Sequence, residues 1–184
     1  MENSLGPLAG IRAVEMTHMV MGPAVGAILG DLGADVIKIE PISGDKTRNL
    51  KGAGSGYFLT FNRNKRSIAV DVKSKEGKEI VLKLLAESDV FIENFRSGAM
   101  EKLGLGNDEV KTFNPSLIYC SISGFGNSGP SSHKAGFDIV AQGMSGIMSF
   151  TGFPDLPPAK VGVPIADLNT GLYSAFAIVS AYVN

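Results

Sequence analysis

Short β-rich runs alternate with helical windows along this chain, and that alternation restricts the fold more than any single motif. Ile11–Met16 reads as a strand, Gly22–Leu32 as a helix and Asp35–Glu40 as a second strand. A third strand is expected over Ser67–Asp71. Lys75–Glu87 carries apolar residues at Ile80, Val81, Leu84 and Leu85, the spacing of one helical face. Asp89–Glu93 and Leu117–Ser123 read as further strands, and Asp138–Ser149 and Leu168–Val183 as helices. Such alternation builds a mostly parallel sheet with helices on both faces. Ligands of these sheets bind beyond the carboxyl ends of the strands. The loops leaving those ends start near Thr17, Glu40, Asn94 and Gly124, so the chemistry is expected there.

At 184 residues the chain is long enough for one domain with a sizeable core. Its 17 Lys and Arg nearly balance 18 Asp and Glu. That balance argues against nucleic acid as a partner and leaves room for a local basic pocket. The single cysteine, Cys120, cannot form an internal disulfide and reads as a small buried residue. The opening Met1–Pro7 lacks the basic and apolar regions of a secretory leader. The most apolar stretch, near the C-terminus, is interrupted by Asn169, Thr170, Tyr173, Ser174 and Ser180, so it reads as a core helix rather than a membrane span. The expected setting is cytoplasmic. His18 and His133, the only histidines, lie far from each other and from Cys120, and no metal site is expected.

Gly22, Gly26 and Gly30 recur at four-residue spacing in the first helical window. Glycine weakens a helix, so the stripe points to a close backbone approach, by a packed neighbour more readily than by a ligand. Gly124-Phe-Gly-Asn-Ser-Gly129 fits the glycine pattern of dinucleotide sites and follows a strand. However, Pro130 and the polar Ser131–Lys134 stand where an amphipathic helix should begin, so these glycines read as a loop that approaches a ligand. Asp167 is the only ionisable side chain of the acid, base or histidine kind between Lys160 and Asn184. A lone carboxylate among apolar residues needs compensation. It reads either as the N-cap of the helix that follows or as a nucleophile held ionised at a helix N-terminus.

Five segments, in order, resemble family III CoA-transferases, the formyl-CoA and carnitine-CoA transferase family, whose superfamily includes the α-methylacyl-CoA racemases. They are Gly33-Ala-Asp-Val-Ile-Lys-Ile-Glu-Pro41, Asn64-Lys-Arg-Ser-Ile-Ala-Val-Asp-Val-Lys73, Asn94–Gly106, Ser123–Pro130 and Val161–Gly171. The resemblance implies an α/β, Rossmann-like fold, with residues 1–184 forming the N-terminal part of the large CoA-binding domain. It implies that the family's small second domain is absent from this chain. Full-length members pair as interlocked homodimers, so a second subunit, or a separate chain supplying the missing half, is the expected partner.

The resemblance further implies coenzyme A as a substrate, with no prosthetic group, and an acyl-CoA and a carboxylic acid as reactants. CoA carries a pyrophosphate and a 3′-phosphate, which call for Lys and Arg. Candidates by charge alone are Lys46, Arg48, Arg63, Lys65, Arg66, Lys73, Arg96, Lys102 and Lys134. The family's CoA site maps onto Met19, Val20, Val70, Lys73, Asn94, Phe95 and Lys102, and Arg96 fits the racemase-like form of the same loop. Some members carry a basic residue where this chain has Pro41, so that contact does not transfer. Asp167 maps onto the nucleophile. It would attack the thioester to give a mixed anhydride and CoA thiolate, which returns to form an aspartyl-CoA thioester. The incoming acid then attacks, and CoA passes to it. The racemases carry histidine where this chain has Phe137, and phenylalanine cannot move a proton. Transferase chemistry is therefore favoured; a racemase relative and an inactive CoA-binding remnant are the alternatives.

Overall fold

A computed structural model describes residues 6–184; most of the opening segment read above for a leader lies outside them. Five strands form one wholly parallel sheet: β1 (Arg12–Met16), β2 (Asp35–Glu40), β3 (Lys65–Ala69), β4 (Val90–Glu93) and β5 (Ile118–Ser121). Their spatial order is β3-β2-β1-β4-β5. The chain winds outward from β1 to β3, then returns to the other side of β1 for β4 and β5. The topological switch point therefore lies between β1 and β4, where open parallel sheets hold their ligands.

The pleat sends alternate residues to opposite faces. Ala13, Val36, Val90 and Ile92 point to one face, where Val25 and Leu29 of α1 (Met21–Asp31) and Ala175 and Ile178 of α7 (Ile165–Tyr182) cover them. Val14, Ile37 and Phe91 point to the other. There α3 (Lys75–Ala86) supplies Val81 and Leu85, α4 (Ala99–Leu103) supplies Met100 and α5 (Asn107–Lys111) supplies Val110. Phe91 is fully buried, a contribution of about 1.5–3 kcal/mol. Ser74 caps α3 by accepting from the Gly77 amide at 3.0 Å. A five-residue helix, α2 (Tyr57–Phe61), precedes β3.

Several boundaries differ from the expected ones. β3 begins two residues earlier than Ser67, because its pairing with β2 starts at Val36 opposite Lys65. α6 (Asp138–Met144) stops short of Ser149: Gly146 turns the chain at φ 80°, and a 3-10 turn follows over Ile147–Phe150. α7 begins at Ile165, so Asp167 lies inside its first turn and is not its N-cap. The glycine stripe is explained by packing. Gly22 lies against Thr17 and Asn94, Gly26 against the Glu15 carboxylate and Gly30 against Asn64.

Candidate active site

The loops that leave β1 and β4 meet at the switch point. His18 donates its backbone N–H to Asn94 Oδ1 at 3.0 Å, and Asn94 Nδ2 returns a bond to the His18 carbonyl at 2.9 Å. This reciprocal pair ties the two loops together and occupies Asn94 structurally. Phe95 packs on the His18 ring, with centroids 5.5 Å apart. His18 keeps part of its surface open, yet this packing and burial hold its pKa below the usual histidine range. Met19 adopts φ 66°, costly for a side chain without local polar compensation. Its N–H is held by Thr47 Oγ1 at 3.2 Å.

A cleft of about 970 Å³ opens between this loop and the segments after β2 and β3. Met19, Val70, Lys73 and Phe95 line it, together with His18 and Lys46. Lys73 and Lys46 are exposed and make no salt bridge among the described residues. Val20 is buried beneath the cleft at the start of α1. Arg96 lies in a second, smaller cavity of about 350 Å³ with Glu93, Tyr119 and Asn127. Lys102 is exposed on α4 and lines neither cavity. Lys73, Arg96 and Lys102 are thus not gathered into one pocket.

Other basic candidates are already engaged. Arg48 holds Glu40 with two bonds, of 2.8 and 2.6 Å, and stacks over Phe58. Arg63 pairs with Asp31, and Arg66 with Asp35. Lys65 is buried against Glu15 at 2.8 Å; its burial brings its pKa down to about 8, against the pull of Glu15.

Sequence reasoning missed the charge network under the cleft. Glu15 and Lys38 are register partners on β1 and β2, both almost completely buried. Lys38 donates to the Thr17 carbonyl at 2.7 Å and lies 3.1 Å from Asp45 Oδ2. Asp45 in turn accepts from the Thr47 amide at 2.8 Å. Burial pushes the Asp45 carboxyl up, but the Thr47 bonds and the Lys38 charge outweigh it, and its pKa lies below the ordinary value. The signal was present: charges inside central parallel strands must find partners.

Asp167 reaches the same edge of the sheet by a different route. Gly124 lies just beyond β5, and a Cβ placed on it would fall 2.4 Å from Gly136 Cα. Only backbone without side chains fits that approach. Two residues later, Asp138 opens α6, and its Oδ1 accepts from the Ala166 amide at 2.8 Å and the Asp167 amide at 3.3 Å. The chain of contacts β5, Gly124, Gly136, Asp138 sets Asp167 near the carboxyl end of β5, where it lines neither of the two cavities described. Farther along α7, Gly171 packs on Ala24 of α1. Asp167 has no salt bridge among the described residues. Burial, and then the Asp138 charge, raise its pKa to about 6. The helix dipole does not win here: the carboxylate is less readily ionised than a free one. The glycine motif at Gly124–Gly129 opens no helix, since the next one starts at Asp138.

Comparison with known proteins points one way. The family model for CoA-transferase family III matches residues 8–184. A succinate–glutarate CoA-transferase from Agrobacterium fabrum is 45% identical over 195 residues, covering 100% of this chain and 49% of that protein. A formyl-CoA:oxalate CoA-transferase from Streptomyces coelicolor is 45% identical over 178 residues, covering 95% of this chain and 43% of its own length. The crystal structure of a CAIB/BAIF family protein from Brucella suis superposes with a TM-score of 0.93 at 49% identity, over 98% of this chain and 50% of that one. The chain spans about half the length of the curated relatives it matches.

Proposed function

The chain belongs to CoA-transferase family III, and on that premise we propose that the protein moves CoA from an acyl-CoA thioester to a carboxylic acid through an aspartyl-CoA thioester on Asp167. Residues 1–184 serve as the N-terminal part of its large CoA-binding domain. The observation that carries this reading is the place of Asp167: a half-buried carboxylate with no salt bridge among the described residues, in the first turn of α7 and tied through Asp138 to the loop that leaves β5. Burial and the Asp138 charge raise its pKa to about 6, so it still ionises near neutral pH while less solvated than a carboxylate in water, as a nucleophilic role requires.

CoA lies in the cleft beyond β1, β2 and β3. Lys73 and Lys46 take its phosphates, Met19 and Val70 line its apolar wall, and Phe95 flanks the adenine. Arg96 and Lys102 act from the rim around α4. An Asp167 carboxylate oxygen attacks the thioester carbonyl. The carbon–sulfur bond breaks, leaving a mixed anhydride and CoA thiolate. The thiolate attacks the aspartyl carbonyl, releasing the first carboxylate and forming aspartyl-CoA. The acceptor carboxylate attacks this thioester, giving a second anhydride and thiolate, and the thiolate attacks the acceptor's carbonyl. The products are the new acyl-CoA and free Asp167. Amides of the Gly124–Gly129 loop stabilise the oxyanions. The relatives' names make succinyl-CoA with glutarate, and formyl-CoA with oxalate, the first pairs to assay.

No helix among the described residues is long and apolar enough to cross a membrane, and the proposed setting is the cytoplasm. The α6–α7 side exposes Met144, Phe150, Phe153, Tyr173 and Phe176, each more than 60% open. So large an apolar face marks an interaction surface. It supports a partner: a second subunit, or the polypeptide that makes up the other half of a family-length protein. Phe137 is exposed at the start of α6 and offers no titratable atom, which favours transfer over α-proton exchange.

The test is a titration of CoA and dephospho-CoA into wild type and the Lys73→Ala, Arg96→Ala and Lys102→Ala variants at fixed salt. A lost charge-assisted contact weakens binding by about 1.5–3 kcal/mol. The largest loss is expected for Lys73→Ala. Unchanged affinity in all three would contradict the CoA assignment. In parallel, 2-methylacyl-CoA in D₂O should gain no enzyme-dependent deuterium at the α-carbon; exchange that vanishes in Asp167→Ala would establish racemase chemistry instead.

A further inference from the structure

Helix α7 has no cap of its own. Pro164 stands at its N-cap position and makes no side-chain bond. The first turn is served from another element: Asp138 of α6 takes the Ala166 and Asp167 amides on one oxygen, at 2.8 and 3.3 Å. Its second oxygen accepts from Gln142 Nε2 at 2.6 Å. Gln142 is 1% exposed. Its other amide atom, Oε1, accepts from the Val161 amide at 2.7 Å, in the segment that leads into α7. Every polar side-chain atom of this relay has a partner: one bond joins Gln142 to Asp138 within α6, and the other three reach from α6 to the chain around Asp167.

We propose that Asp138 is a positioning residue for Asp167, holding its backbone by the bridged helix cap and governing its charge by proximity, with Gln142 locking Asp138 in place. Asp138 occupies the N-terminal amides that would otherwise draw a carboxylate charge toward themselves. It also places a second carboxylate beside the first. The groups around Asp167 leave Asp138 as the one ionisable side chain that acts on it from α6. On α1, which packs along α7, the only ionisable residue is Asp31 at the far end. On β5, the Cys120 thiol is pushed up to about 11 by burial and faces Ser174, two turns farther along α7. The inference rests on the reading of Asp167 as the nucleophile only for its importance, not for its test.

The test follows the side-chain carboxyl carbons of both aspartates by ¹³C NMR against pH in the 184-residue chain, in wild type and Asp138→Asn. Asparagine keeps an oxygen for the two amides and carries no charge; its NH2 cannot accept from Gln142 Nε2, so that one bond is given up. The expected result is an Asp167 midpoint about one unit lower in Asp138→Asn, while the Ala166 and Asp167 amides stay protected from exchange. A residue acting as a cap alone would leave the midpoint in place, and that result overturns the proposal. If Asp138→Asn does not fold, wild type alone decides. Coupled carboxylates titrate in two steps visible at both carbons, whereas two independent single-step curves overturn the proposal. Neither readout needs CoA or turnover, so a failure here leaves the nucleophile assignment standing, and a failure to trap acyl-enzyme leaves this result intact.

Discussion

Glu40 and Asp167 stand near the same edge of one sheet and are displaced in opposite directions, Glu40 down to about 2 and Asp167 up to about 6. Glu40 is buried and Asp167 half-buried. Glu40 accepts from Arg48, Ser67 and the Asp45 amide. Asp167 faces a second carboxylate and no cation. Burial raises a carboxyl pKa in either place; partners decide the outcome. The β1–β3 wall is built so that each buried charge meets its opposite, the pattern of a structural network. The α6–α7 corner gives Asp167 no such compensation among the described residues and leaves apolar side chains exposed, a pattern that agrees with the proposed reactive carboxylate.

The comparison breaks most visibly where a charge is removed from the compensated side. Lys65→Met leaves the buried Glu15 carboxylate without its 2.8 Å partner. The expected loss is about 3–5 kcal/mol in urea unfolding. The double variant with Glu15→Met should recover much of it; a single variant as stable as wild type would show that the network is not what holds this wall. A smaller effect is expected from Arg48→Ala. Arg48 is partly exposed, so the loss is about 1 kcal/mol, accompanied by a higher Glu40 midpoint.

Acid and base limbs sharpen the contrast by sign. Folded Asp167 holds its proton to about pH 6, whereas the unfolded chain releases it near 3.8. The native state thus binds more protons in between, and its stability falls as pH rises from about 4 to 6. Asp167→Asn removes that fall. Glu40 does the reverse: its unfolded form binds a proton near 4.5 and its folded form near 2. Its contribution is present above 4.5 and disappears as the pH drops toward 2. Glu40→Gln flattens that limb. Thermal unfolding of both variants across pH 2–8 checks the signs, and identical slopes in the two would refute the contrast. The smallest loss is expected for Asp167→Ala. Asp167 is not a cap, and its ionised form is the costly one in the folded state, so the variant should be at least as stable as wild type at neutral pH; a loss of about 1 kcal/mol or more would restore Asp167 to a capping role.

The sequence made the layered parallel fold legible because its apolar periods are long and clean. It hid α2, α4 and α5, whose five residues are too short to show a period. It shifted β3, because Lys65 and Arg66 read as surface charges until Glu15 and Asp35 are brought across from neighbouring elements. In the site, the family pattern named Met19, Val70, Lys73 and Phe95, and the fold sets all four on one cleft. Arg96 and Lys102 came from the same pattern but follow a different strand, and they fall outside that cleft. Of the two readings open for Asp167, the N-cap fails for a tertiary reason: Pro164 stands at the N-cap, the bond to the first turn comes from Asp138 on another helix, and no local window around Asp167 contains it.

The central claim is covalent chemistry at Asp167. The direct measurement incubates the protein, joined by the other half of a family-length relative, with succinyl-CoA, quenches with hydroxylamine and maps the modified carboxylate by peptide mass spectrometry. The 184-residue chain alone, which spans about half of its relatives' length, should give weaker labelling. In the completed assembly a hydroxamate is expected on Asp167, lost in Asp167→Ser while CoA binding persists. Label on another carboxylate, or full transferase activity in Asp167→Ser, would contradict it.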